Sequence, residues 1–418
     1  MRILWFSLTS CSAAERNGGK TLGGSWLISL ERAIRDIPGI TLGIAYFSDT
    51  KEEPFQYCRV HYFPIYKSKW ERLSIRIHPH VTNRYDEIFL SLINAFNPDL
   101  VHIHGSESEF ANIIGQTEIP VVLSMQSILA PYEKKYFSGI NKIEVLRYDS
   151  IMNRILLKSN LTFYHITQKF AKNEIKQFKK LKYIIGRTDW DKRISRLMAP
   201  ESKYFVVNEI LRDDFYSTKW EDPHNSVLTL VTTMSDSLYK GLENVYRTAE
   251  VLKEYGIKFE WKIIGQSYGS AYESMVRHAT KIEPEQNNII LLGRMPSKKL
   301  IEELLQSDIF VQVSHIENSP NSLCEAMIIG MPIIASFVGG TSSLIKNNVE
   351  GLLYQDGDVY SLAADILTLA KDKKLSLTMG NEARKSALKR HNKQKIVSEL
   401  MTCYNSIISL DHEESNIY

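Results

Sequence analysis

The chain has 418 residues, of which 44% are hydrophobic and 24% are charged, and its formal net charge is +3. Such a length predicts two domains, the apolar content excludes a disordered chain, and the small net charge gives no indication of a nucleic-acid partner. Four scattered cysteines, Cys11, Cys58, Cys324 and Cys403, have no metal-binding or disulfide spacing and favour a reducing cytosol.

In the first half of the chain, short apolar strands are predicted to alternate with helices. Residues 2–8, "RILWFSL", are too short for the apolar core of a signal peptide and predict a first strand, before a glycine-rich loop and an amphipathic helix. Further strands are predicted in "ITLGIAYFS", "PDLVHIHGS" and "IPVVLSMQS", with a helix in "YDEIFLSLINAF". This alternation is typical of a parallel α/β sheet.

Residues 131–182 carry a local excess of positive charge, with twelve Lys/Arg against four Asp/Glu. The basic residues alternate with aromatic and aliphatic ones, which suits anionic lipid headgroups or a phosphate-bearing acceptor. A solvated helix face explains the same pattern equally well. Because no apolar run approaches the roughly 20 residues of a membrane span, we expect a cytoplasmic protein that at most contacts the inner face of the cell membrane.

The second half repeats the alternation of strands and helices. Strands are predicted in "VLTLVTTMS", "FEWKIIG", "NNIILLGRM", "DIFVQVS", "PIIAS" and "GLLYQ", and helices in "GLENVYRTAEVLKEYG" and "SKKLIEELLQS". A polar stretch with a proline, "YSTKWEDPHNS", suits a linker. We therefore predict domains at 1–210 and 211–390, with a C-terminal helix at about 391–418 that could pack anywhere, the first domain included.

Two glutamates, Glu317 and Glu325, stand eight positions apart in "SHIENSPNSLCEAM". Glu317 follows a predicted buried strand, and ligands of open α/β sheets bind at that edge. Glu325 has two readings. In the first reading, Glu325 lies on a helix whose N-terminus suits a phosphate and contacts a ribose. In the second, which the local sequence favours, Glu325 forms a capping box with Ser322 in the S-x-x-E pattern.

Several segments occur in the order of one known family. The run from Glu317 through Glu325 and "AMIIGMPIIASFVGG", with "LYKGLENVYRTAEVL", "WKIIGQ", "IILLGRM" and "NNVEGLLYQDGDVYSLAADI", resembles the retaining glycosyltransferase family 4. The resemblance is dense over residues 226–390 and thinner before them. It implies the GT-B fold, in which two Rossmann-like domains face each other across a cleft.

The resemblance also implies the residue roles. Glu317 and Lys240 would be catalytic, with Lys240 neutralising the donor diphosphate and Glu317 contacting the donor sugar. Gly23 and Gly24 would let the backbone approach the diphosphate. The other implied donor-binding residues are Asn318, Ser319, Pro320, Asn321, Ser322, Leu323 and Glu325. Neither a metal nor another cofactor is expected, since the donor is a UDP- or GDP-linked sugar.

The sequence departs from the family pattern at three places. An arginine expected five or six residues before Lys240 is missing from Thr232–Ser235, and either Arg294 replaces it or Arg294 is an exposed loop residue. Gln126 stands where many relatives carry a histidine, and Gln can bind a hydroxyl without carrying a proton. The cluster "GRTDWDKR" adds Arg187 and Asp191, which are either acceptor contacts or parts of a salt-bridged loop.

His104 is a further candidate for contacting the acceptor, beside Gln126, Arg187 and Asp191. We expect it and His102 to point to opposite faces of their strand and not to share a metal, with a structural role for His104 as the stronger reading. Two D-x-D triplets, Asp189–Asp191 and Asp356–Asp358, lack the strand context of a metal site, and Asp358 predicts a helix cap.

The function implied is transfer of a sugar to a hydroxyl acceptor, a glycan or a lipid-linked one, in cell-surface polysaccharide or glycan assembly. Two alternatives remain, a nucleotide-sugar-binding protein without turnover and an epimerase or hydrolase on the same fold. A dinucleotide dehydrogenase is disfavoured, because "GGKTLGG" lacks the G-x-G-x-x-G spacing.

Overall fold

A computed structural model describes residues 1–17 and 25–415 of the chain. The chain divides into two compact units. The first comprises Met1–Glu133, His165–Arg212 and His391–Tyr418, and the second comprises Lys134–Tyr164 and Asp213–Arg390.

The first unit is built on an eight-stranded sheet in the order β3-β4-β2-β1-β5-β6-β7-β8. All pairs are parallel except β3 with β4. The strands are β1 Arg2–Ser7, β2 Thr41–Ser48, β3 Phe55–Tyr57, β4 Val60–Tyr66, β5 Leu100–His104, β6 Val121–Ser124, β7 Tyr183–Gly186 and β8 Lys203–Val206.

Both faces of this sheet are covered, which is why its strands are apolar at successive positions. Along β1, Ile3 and Trp5 join a core with residues of the helices α1 (Ser25–Ile34) and α17 (Lys393–Ser415). Leu4 and Phe6 join a second core on the opposite face. The other helices lying wholly or partly in this unit are α2 Lys69–Ile77, α3 Asp86–Phe96, α4 Leu129–Lys135, α7 Asn160–Phe178 and α8 Asp189–Met198.

The second unit is built on a six-stranded, wholly parallel sheet in the order β11-β10-β9-β12-β13-β14. Its strands are β9 Leu228–Thr233, β10 Phe259–Ile264, β11 Ile289–Gly293, β12 Ile309–Gln312, β13 Ile333–Ser336 and β14 Leu352–Tyr354. Its helices are α5 Lys142–Tyr148, α6 Ile151–Ile155, α9 Asp213–Ser217, α10 Leu242–Glu254, α11 Ala271–Thr280, α12 Ser297–Leu305, α13 Asn321–Ile329, α14 Thr341–Leu344, α15 Val359–Lys371 and α16 Lys373–Arg390.

The two units differ from the predicted domain bounds in one segment. Residues 134–164, which the sequence assigned to the first domain, group with the second unit, and the unit boundaries fall inside α4 and α7. The C-terminal residues from His391 group with the first unit. Within residues 1–17 and 25–415, no helix combines the length and apolar character that crossing a bilayer requires.

Candidate functional site

The loops after β9 and β12 lie side by side at one edge of the second sheet. These strands are neighbours, and the chain order runs outward from them in opposite directions, from β9 to β10 and β11 and from β12 to β13 and β14. Such a switch in strand order opens a crevice at the carboxyl edge of a parallel sheet, where ligands bind. Lys240 follows β9 and Glu317 follows β12, so the fold brings the two predicted catalytic residues together.

The side chains of Lys240 and Glu317 form a direct ion pair. Lys240 Nζ donates to Glu317 Oε1 at 2.5 Å, and Ser314 Oγ donates to the same oxygen at 2.8 Å. Burial disfavours the charged ammonium, but the Glu317 carboxylate outweighs that effect and raises the pKa of Lys240. Lys240 therefore stays protonated and holds a fixed positive charge at the sheet edge.

Two glycines allow these loops to approach each other closely. Gly241 has φ +77°, and a Cβ there would collide with the carbonyl oxygen of Val313. Gly339 has φ +47°, and a Cβ there would collide with the carbonyl oxygen of Glu317. The neighbouring Gly340 N–H donates to that same oxygen at 2.9 Å. The backbone of Glu317 is thus fixed by the loop after β13, independently of its side chain.

The start of α13 excludes one of the two readings of Glu325. The helix begins at Asn321 with Pro320 as its N-cap, so Ser322 is the second helical residue. The capping box between Ser322 and Glu325 was therefore wrong, because a capping box needs the Ser at the N-cap itself. Glu325 lies one turn into the helix and is 5% exposed. The predicted donor-binding residues from Asn318 to Leu323 connect Glu317 to this helix.

One buried residue of the site, His315, was not predicted from the sequence. His315 Nε2 lies 2.6 Å from Glu243 Oε1, and His315 Nδ1 lies 2.7 Å from Asp356 Oδ1. Burial disfavours the imidazolium, yet hydrogen bonds to the two carboxylates prevail and raise the pKa of His315 to about 9. Its backbone N–H donates to the carbonyl oxygen of Tyr239 at 2.8 Å, which ties the Glu317 loop to the Lys240 loop.

The remaining residues predicted to bind the donor are Arg294, Gly23 and Gly24. Arg294 follows β11, and its Nη2 lies 3.0 Å from Asp236 Oδ2 in the loop after β9, where both side chains are exposed. That loop also contains Ser235, which stands in the stretch that lacks the family's arginine. Gly23 and Gly24 lie outside the described residues.

The predicted orientation of His102 and His104 was wrong. Residues two apart on a strand share a face, and the two ring centroids are 3.8 Å apart. His102 is held between Tyr404 Oη and Ser124 Oγ, each at 2.6 Å, and burial lowers its pKa to about 3. Burial likewise lowers the pKa of His104, whose ring nitrogens have no hydrogen-bond partner among the described residues.

The acceptor-side candidates lie at the carboxyl ends of β5, β6 and β7. The Arg187 guanidinium lies 4.3 Å above the ring of Trp26, whose centroid is 5.9 Å from that of His104. Trp26 therefore joins two predicted residues, although no sequence signal marked it. Gln126 lies in the loop between β6 and α4.

Asp191 takes part in capping a helix. It forms a capping box with Thr188 at the start of α8 and also accepts a hydrogen bond from the backbone N–H of Arg187 at 2.9 Å. The predicted cap at Asp358 is confirmed, since its side chain accepts from the Ser361 N–H at the start of α15. One residue of each D-x-D triplet thus contributes to the capping of a helix.

Residues 225–386, which cover most of the second unit, match the family described as glycosyl transferases group 1. This part of the chain is therefore similar to that family. The chain is 28% identical over 245 residues to the amylovoran biosynthesis glycosyltransferase AmsK of Erwinia amylovora. The aligned residues cover 57% of this chain and 57% of AmsK. The match thus spans a little over half the length of this curated relative.

Two solved structures are similar over nearly the whole chain. Sucrose-phosphate synthase from Thermosynechococcus elongatus has a TM-score of 0.72 at 13% identity and covers 98% of this chain and 100% of its own. Anabaena HepE in complex with UDP and glucose has a TM-score of 0.68 at 16% identity, and the match covers 97% of this chain and 100% of the HepE chain. At these identities the likeness shows the fold, and the predicted class, a two-domain α/β protein of the GT-B type, is confirmed.

Proposed function

We propose that the chain is a retaining glycosyltransferase that moves a sugar from a nucleotide-diphosphate sugar to a hydroxyl acceptor. The observation that carries this proposal is the Lys240–Glu317 pair at the switch point of the second sheet, beside the N-terminus of α13. A protonated lysine and the unpaired N–H groups of a helix start together suit a diphosphate.

The proposed chemistry relies on charge at the leaving group. As the glycosidic bond breaks, negative charge grows on the departing phosphate, and the Lys240 ammonium and the helix N–H groups stabilise it without a metal. The acceptor hydroxyl attacks from the same face and passes its proton to that phosphate. Glu317 orients the donor sugar through its hydroxyls and forms no covalent bond, while Glu325 accepts from the ribose.

Arg294 is proposed to replace the arginine that the family pattern places before Lys240. Its contact with Asp236 brings the guanidinium to the loop from which that arginine is missing. The absence of the family's arginine before Lys240 also favours the second candidate function, a protein that binds nucleotide sugars without turnover. In that case the donor binds but no free nucleotide appears with any acceptor.

The substrates are proposed from the relatives. HepE is described in complex with UDP and glucose, which favours a UDP-linked donor over a GDP-linked one. AmsK is an amylovoran biosynthesis glycosyltransferase, which favours a glycan or lipid-linked acceptor in cell-surface polysaccharide assembly. The basic region 131–182 supports a location in the cytoplasm at the inner face of an anionic membrane.

A panel of UDP- and GDP-sugars, assayed for binding and for acceptor-dependent nucleotide release, tests the proposal. In Glu317→Ala, we expect transfer to fall by roughly 10²–10³-fold, because positioned groups of this kind contribute on that order. The matched control is Glu254→Ala, which removes an exposed glutamate at the end of α10 and leaves the rate unchanged. Near wild-type turnover in folded Glu317→Ala protein would refute the role of Glu317.

A further inference from the structure

The segment 134–164 exposes an unusual number of large apolar side chains. Ile151 and Ile155 are 74% and 69% exposed, on one short helix, α6. We call the set that they form the 142–156 surface; its apolar members are Ile143, Leu146, Ile151, Met152, Ile155 and Leu156. Single exposed apolar residues are ordinary, but a contiguous run of them marks an interaction site.

The same segment is basic on its exposed side. Six Lys/Arg lie between 134 and 164, against two acids, Glu144 and Asp149. Both acids are directed to backbone groups, since Glu144 accepts from the Asn141 N–H at 3.0 Å and Asp149 from the Asn160 N–H at 2.7 Å. The apolar side chains are therefore accompanied by positive charge, with Lys142 and Arg147 on α5 and Lys158 after α6.

The opposite side of the segment is fixed to the second unit. Ile140 and Val145 are buried in the core of that unit. Asn160 Nδ2 donates to Met275 Sδ at 3.6 Å, and the ring of Tyr148 stacks on that of His278. The 142–156 surface is thus presented on an anchored support, and its exposure does not come from a detached segment.

We propose that the 142–156 surface inserts its apolar side chains into an anionic lipid bilayer while its basic residues contact the headgroups. Apolar side chains bordered by Lys and Arg are the pattern of helices that lie in the membrane interface. A second copy of the chain fits less well, because a two-fold contact would bring the same basic surface, with Lys142 and Arg147, to both sides of the interface. The inference rests on the proposed function only in that a lipid-linked acceptor would be found at such a bilayer.

Vesicle flotation of the full chain tests this surface without any activity measurement. We expect the wild type to float with phosphatidylcholine vesicles that contain about 30% phosphatidylglycerol and to be released by about 0.5 M salt, because screening removes the headgroup attraction. In the double variant Ile151→Ser and Ile155→Ser, the bound fraction should fall at least about tenfold, because the two apolar side chains that enter the hydrocarbon are removed.

The matched control is Leu197→Ser with Tyr360→Ser, two side chains that are 79% and 60% exposed on other helices, and it should float like the wild type. Equal flotation of the wild type on pure phosphatidylcholine and anionic vesicles, or equal losses in the two double variants, overturns the proposal. So does a wild-type dimer in light scattering that becomes monomeric in the Ile151/Ile155 variant. Nucleotide-sugar binding, measured on the same proteins, reports on the proposed function separately.

Discussion

At the scale of single residues, Gly241 tests how tightly the two loops of the candidate site are packed. Alanine at its φ of +77° is strained, and the added Cβ would also collide with the Val313 carbonyl oxygen. Gly256 has nearly the same φ, +72°, with no atom within 4 Å of its Cβ position. The two glycines therefore separate backbone strain from crowding.

We predict that Gly256→Ala lowers the stability of the protein by about 1–2 kcal/mol, the cost of a left-handed L-residue. Gly241→Ala should lower it further and should also weaken binding of the nucleotide sugar, because relief of the collision displaces the adjacent Lys240. Denaturation midpoints and donor titrations measure the two effects. Equal stability losses and unchanged donor affinity in both variants would contradict the close packing.

The residues of the site differ in how far the sequence could predict them. Glu317 and Lys240 were predictable because each follows a strand whose apolar pattern is visible locally, in an order that resembles a known family. His315 was not, because its partners Glu243 and Asp356 lie 72 and 41 positions away. No local pattern reports which loops the fold places together.

At the scale of elements, the His315 side chain connects the loop after β12 to the start of α10 and to the loop after β14, and its charge makes that connection depend on pH. A histidine whose folded-state pKa is raised from 6.5 to about 9 stabilises the fold fully below pH 6.5, and this contribution is lost as the pH rises through 9. We predict that the stability difference between the wild type and His315→Gln is largest near pH 6 and shrinks toward pH 10.

Chemical denaturation across this pH range measures the prediction. Glu243→Gln is the matched variant, since it removes one of the two carboxylates and keeps a hydrogen-bonding side chain of the same shape. It should reduce the pH dependence without abolishing it, because Asp356 still contacts the other ring nitrogen. A wild-type advantage over His315→Gln that is constant from pH 6 to 10 would show that the imidazole acts by packing alone.

The bounds of the strands and helices were largely predictable, and the errors have physical causes. Apolar runs predicted β1, β2, β9 and β10 within two residues of the observed ends, because both faces of each sheet are covered. The capping box at Ser322 was wrong because the S-x-x-E pattern is matched by residues that lie inside a helix beginning at Asn321. A cap depends on backbone geometry that composition does not determine.

At the scale of the whole molecule, the assignment of segments to units could not be read from the sequence. Residues 134–164 follow first-unit strands in the chain but pack with the second unit. Their buried side chains, such as Ile140 and Val145, are as apolar as any core residue and carry no sign of which core receives them. The entropic cost of closing a loop grows only slowly with its length, so packing against a core that is distant in sequence costs little more than packing against a near one.

The C-terminal helix α17 gives the last prediction, because one hydroxyl connects it to two strands of the first sheet. Tyr404 Oη accepts from Trp5 Nε1 at 3.1 Å and lies 2.6 Å from His102 Nδ1, across 399 and 302 positions of sequence. Tyr404→Phe keeps the ring in the core but leaves both nitrogens without that partner. Buried polar groups without partners cost about 1–3 kcal/mol, so we expect a loss of that order.

Hydrogen exchange can locate this loss within the molecule. Amides of β1 and β5 should exchange faster in Tyr404→Phe, while those of β9 and β12 in the second sheet should be unaffected, because α17 packs in the core of the first unit. Tyr255→Phe is the control, since that tyrosine is 69% exposed. If Tyr404→Phe left the exchange of β1 and β5 unchanged, the helix would be held by its apolar contacts alone, and the hydroxyl would add specificity without stability.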